Sequence, residues 1–160
     1  MTNKTDKNSQ ANTRLGAQSK IEQLPTDTNP ETDFSGPAIY TYSRKQALAD
    51  GVQVEVPPAV AKEAGFKFPV FLTDTVYAAY VDVPDGLSCQ DEDGRLWDIL
   101  TMLHHAIQNA PADAPRIPFS LYVRNEEEKA PTLVKLHAVC SAKDFDEPEP
   151  AITVMLPEED

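Results

Sequence analysis

Residues 89–108 read Cys-Gln-Asp-Glu-Asp-Gly-Arg-Leu-Trp-Asp-Ile-Leu-Thr-Met-Leu-His-His-Ala-Ile-Gln, the strongest helical pattern in the chain. At 100° per residue, Leu96, Leu100, Leu103 and Ile107 fall on one side, flanked by Trp97, Ile99 and Ala106. Asp98, Thr101 and His105 fall on the opposite side. Asp91, Glu92 and Asp93 stand at the start, where carboxylates suit the helix dipole, and Pro111 and Pro115 forbid continuation. A long amphipathic helix needs a layer to cover its apolar stripe, and the flanking sequence supplies strands.

Downstream, residues 117–123, 132–140 and 151–156 are strand-like, and their links at 124–131 and 141–150 are short and polar. Neither link has room for a crossover helix, so the three runs form an antiparallel meander. In the second run Leu133, Lys135, His137 and Val139 alternate with Val134, Leu136, Ala138 and Cys140, with Cys140 read as a small buried hydrophobe. Upstream, Ser43 and Gln46 make a capping box for a short helix that stops at Gly51. Val52, Val54 and Val56 then alternate with polar residues as a half-buried strand. Pro57-Pro58 opens a second short helix ended by Gly65, and residues 68–72 form a brief strand placed at an edge by Pro69. Thr73 caps a third helix over 74–81, with Val76, Tyr77 and Tyr80 as its packing side chains. The expected class is α+β. A three- to five-stranded, mainly antiparallel sheet with a C-terminal meander is packed by one long amphipathic helix and several short ones.

The chain has 160 residues and a formal net charge of −12. Residues 1–36 are polar, with apolar side chains only at scattered points such as Leu15, Ile21, Leu24 and Phe34. That composition predicts a disordered tail followed by one acidic domain over 37–160. Lys4, Lys7, Arg14 and Lys20 nearly balance the tail's five acids, so almost the whole charge belongs to the domain. Such a body repels phosphate, which argues against direct nucleic-acid or anionic-membrane binding and for a basic protein partner. No apolar run approaches the ~18 residues of a membrane helix, and the first 23 residues lack a signal-peptide pattern, so a cytoplasmic location is expected. Cys89 and Cys140 are too few for a disulfide framework and match no metal spacing. No cofactor or metal is expected, and the sequence leaves the oligomeric state open.

Two sets of residues are candidates for function. The acidic runs Glu126-Glu127-Glu128 and Asp144, Asp146, Glu147 read as solvated turns, or more sharply as a negative surface that engages a basic groove or mimics DNA phosphates. The alternative is a small hydrolase-type enzyme in which Asp98 and His105, on one helix face, work with or without Cys89. The adjacent His104 and His105 diverge by about 100° and do not share a metal.

Two blocks, Tyr42-Ser-Arg-Lys-Gln-Ala-Leu-Ala-Asp-Gly51 leading to Phe66-Lys-Phe-Pro-Val-Phe-Leu-Thr73, and Cys89-Gln-Asp-Glu-Asp-Gly-Arg-Leu-Trp-Asp-Ile-Leu100, resemble an uncharacterised bacterial domain family of plasmids and integrated mobile elements. The ending Ala151-Ile-Thr-Val-Met-Leu-Pro157 is similar too, so the resemblance covers residues 39–160. It implies an accessory protein of a mobile element acting by protein–protein interaction, including against host defence, and brings no catalytic residues with it.

Overall fold

The computed structural model describes residues 42–159, so the expected tail at 1–36 lies outside the described residues. The first described helix rests on a capping box: Ser43 Oγ accepts from Gln46 N, and Gln46 Oε1 accepts from Ser43 N. This fixes α1 (Arg44–Ala49), and Gly51 supplies the left-handed stop at φ 73°. β1 (Gln53–Glu55) is only three residues long. Pro58 at the first helical position starts α2 (Pro58–Glu63), after which β2 (Val70–Thr73) is fully apolar until its last residue. Thr73 Oγ1 accepts from Val76 N and begins α3 (Asp74–Tyr80). Asp91 likewise caps α4 (Glu92–Asn109), an 18-residue helix, by accepting from Gly94 N. The meander β3 (Ile117–Val123), β4 (Thr132–Ala142) and β5 (Pro150–Met155) completes the chain.

The strands form one mixed sheet in the order β1-β2-β5-β4-β3. Three of its four pairings are antiparallel; β2 and β5 run parallel. The long return from β2 through α3, α4 and two strands makes that parallel pair sterically feasible. Pro69 therefore does not mark an edge. It precedes β2, where its carbonyl accepts from Ile152 N, and the strand itself lies inside the sheet. Position just before a strand removes no ladder donor, which is why proline is tolerated there.

Leu96, Ile99, Leu100 and Leu103 of α4 pack with Phe119, Leu121, Val123, Val134 and Leu136 in one core that also takes Val70, Leu72, Val76 and Val154. Ile107 is only half-buried and Trp97 is exposed, because the helix leaves the sheet towards its end and the core stripe centres on Ile99. Cys140 is exposed, contrary to its reading as a core residue; β4 runs past the core at this end. On the other sheet face Arg44 lies 4.3 Å over the Phe71 ring and donates to Gln53, Thr153 and the Lys143 carbonyl.

Candidate interaction site

Arg95 organises the end of the molecule at the start of α4. It is only 5% exposed, because position 95 shares the buried stripe of Ile99 and Leu103 one and two turns on. Its Nε donates to the Tyr80 carbonyl, Nη1 to Gln90 Oε1 and the Arg124 carbonyl, and Nη2 to Asn125 Oδ1. Burial pulls its pKa down, and Asp82 opposes that shift; a guanidinium remains charged regardless. One side chain thus ties α3, α4 and the β3–β4 link. Asn125 Nδ2 adds a bond to the Ala79 carbonyl, and Glu127 accepts from both Ser88 N and Ser88 Oγ.

Those ties gather charge. Over residues 79–95 and 124–129, the stretches so joined, Asp82, Asp85, Asp91, Glu92, Asp93, Glu126, Glu127 and Glu128 stand against Arg95, Arg124 and Lys129. Within this end lies a cavity of 310 Å³ between α4 and β3, walled by Asp91, Gly94, Arg95, Trp97 and Asp98 on one side and 121–124 on the other. Trp97, 39% exposed, presents aromatic surface at it, while the Tyr122 ring, 69% exposed, lies on the sheet face opposite Leu121 and Val123. Cys89 also lines it, with φ 64°, a left-handed conformation that a non-glycine residue adopts at a cost of about 1–2 kcal/mol.

The enzyme candidates do not converge. Asp98 and Cys89 line the cavity, but His105 does not. Seven residues of helix separate Asp98 from His105 by about 10 Å along the axis. His105 instead sits against Asn109, and His104 turns the other way to pack on Phe66 with ring centroids 5.7 Å apart. Among the described residues no group of three His, Cys, Asp or Glu is placed to hold a metal.

The acidic candidates fall into two separate places. Glu126, Glu127 and Glu128 belong to the charged end just described. Asp144, Asp146 and Glu147 lie at the opposite end of β4, about 33 Å away at 3.3 Å per residue. Asp144 is not a surface charge: it is 8% exposed and accepts from Lys45 N and Phe145 N, adding a tertiary cap to α1. Burial alone would raise its pKa, but those backbone donors hold it below the usual carboxylate value. Lys45 pairs with Asp146 and Glu147, and Lys143 with Glu147 at 2.7 Å, so this second cluster is largely neutralised. Glu126 is paired with Lys129, whereas Glu128 makes no ion pair among the described residues. Sequence reasoning missed Arg95 and Asn125; the helical wheel held the signal for Arg95, whose stripe is otherwise apolar.

The architecture is that of an α+β protein with a five-stranded mixed sheet, several helices and a C-terminal strand meander. The chain belongs to a family of unknown function, DUF6573, whose model matches residues 32–160. No curated protein and no solved structure matches it. No helix among the described residues is long and apolar enough to cross a membrane.

Proposed function

We propose that this is a non-enzymatic accessory protein that binds a basic protein partner through the acidic end around the start of α4. The observation that carries the reading is the excess of carboxylates on the segments fastened by Arg95, next to a cavity walled in part by the exposed Trp97. Such a surface steers a cationic partner by long-range attraction and offers ring faces for cation–π contact. In the setting the sequence blocks suggest, a bacterial plasmid or integrated element, the role is to help the element persist, including by occupying a host factor's DNA-binding groove. The hydrolase alternative has less support, since Asp98 and His105 stand two helical turns apart.

The test is capture of partners from host cells with the intact chain and with Asp85→Lys, Glu126→Lys and Glu128→Lys combined. These positions spare Glu127 and Asp144, which hold loops in place. The expected result is loss of the captured protein with folding unchanged, while Cys89→Ser and His105→Ala retain it. Retention after charge reversal, with loss in the cysteine or histidine variant, transfers support to the enzyme.

A further inference from the structure

A single hydrogen bond fixes which backbone groups of β3 point away from β4. Ile152 N donates to the Pro69 carbonyl at 2.9 Å, so the backbone groups of Ile152 face β2. Backbone direction alternates along a strand, so Thr153 and Met155 face β4, where they oppose Val139 and His137. By the same alternation Val134, Leu136 and Ala138 face β3, opposite Leu121, Phe119 and Ile117. The backbone groups of Pro118, Ser120 and Tyr122 therefore point away from the sheet. Pro118 fits this assignment, having no N–H to lose from the ladder.

Among the described residues, no strand covers that edge, since β3 is last in the sheet. The opposite edge, β1, is three residues long and carries Glu55. By contrast, β3 has seven residues and no charge within Ile117–Val123. Short strands and charged side chains are the usual protection against edge pairing, and β3 has neither, Pro118 blocking only its start. The 310 Å³ cavity opens beside its last residues, with Trp97 and Asp98 of α4 as the other wall.

We propose that β3 accepts an extended, lysine- or arginine-bearing segment of a partner protein as a sixth strand. This rests on the acidic-surface reading and specifies how the partner docks. Ser120 N–H and C=O and Tyr122 N–H and C=O supply the ladder bonds. Alternate side chains of the incoming strand fall on opposite faces. One set enters the cavity, where a cationic head meets Asp98 and the Trp97 ring; the other lies over Tyr122. A second copy of this chain is the poorer occupant, because its β3 carries no cation to meet Asp98 and the Trp97 ring.

The probe is an alternating lysine–valine peptide about eight residues long, with a twin of equal charge N-methylated on the bonding edge of its backbone. Amide exchange of the intact protein is followed by NMR. In the free protein the Ser120 and Tyr122 amides should exchange quickly. The unmodified peptide should slow both, and the methylated twin should bind at least about tenfold more weakly. Ser120→Pro removes one outward donor without touching the β3–β4 ladder and should weaken the peptide similarly; the methylated twin makes the same test without altering the protein. Equal binding of the two peptides with unchanged exchange at both amides overturns strand addition, as does no binding of the unmodified peptide. The acidic-surface reading stands or falls separately, on whether reversal at Asp85, Glu126 and Glu128 removes the natural partner.

Discussion

Arg95 and Leu100 are buried in the same helix for different reasons, and their substitutions separate packing from hydrogen bonding. Leu100 is fully buried among apolar side chains, so Leu100→Ala should cost about 2–5 kcal/mol by opening a cavity. His105, exposed on the far side, should tolerate alanine within about 0.5 kcal/mol. Denaturant unfolding of both variants checks the pair, and equal losses would mean that the wrong face of α4 packs inward. Arg95→Ala strands the Tyr80 and Arg124 carbonyls and should cost about 1–3 kcal/mol. Arg95→Lys should restore little of it, because an ammonium cannot reproduce the planar fork that spans three segments. Recovery of full stability by lysine would reduce the role of Arg95 to charge alone.

At the scale of elements, the helix starts are specified locally and their positions are fixed from a distance. Ser43 and Thr73 each satisfy an amide that the helix cannot, so alanine at either should destabilise by about 1 kcal/mol. In α1 the local cap is joined by Asp144, which takes the Lys45 amide from 99 residues away in sequence. Asp144→Asn should loosen the contact between α1 and the β4–β5 link, read as faster amide exchange at Lys45 and Gln46, while leaving α3 unaffected. The capping box and glycine stop of α1 were legible because caps act within four residues. The Asp144 contact was not legible, since an acidic residue in a polar turn has the same appearance in sequence whether it caps a helix or faces water.

For the whole molecule, carboxylate bonding sets the response to pH. Hydrogen bonds from Ser88 lower Glu127, and Lys143 and Lys45 lower Glu147. Asp144 and Glu159 lie low despite partial desolvation, through backbone donors. Because these folded values fall below the ordinary ones near about 4, the stabilisation is complete above that pH and is lost as pH falls through the lowered values. Lys45 and Lys143 are raised by the same pairs, so their contribution persists to about pH 10 and is lost above it. The unfolding midpoint should thus be level near neutrality and drop below about pH 4. Glu147→Gln should make the acid drop shallower; an unchanged profile would remove these pairs from the account. Association with the basic partner should also slow as salt rises, since exposed charges act over only ~8 Å at physiological ionic strength. Stopped-flow rates at two salt concentrations test this, and a rate indifferent to salt would exclude electrostatic steering.

By itself the sequence determined whatever depends on neighbours along the chain: the caps at Ser43 and Thr73, the apolar stripe of α4, the alternation in β4 and the short links that force β3, β4 and β5 into a meander. Periodicity and turn chemistry act over a few residues, so they can be read without a fold. Only the tertiary structure decided which strands lie inside the sheet, that β2 pairs in parallel with β5, and that β3 is the last strand of the sheet among the described residues. The same holds for the fate of each acidic run. Glu126 and Glu128 stay at a charged end beside a cavity, while Asp144 is buried and Glu147 is neutralised. Those outcomes depend on which distant backbone amides and lysines packing brings within hydrogen-bonding reach, and local pattern carries no information about that.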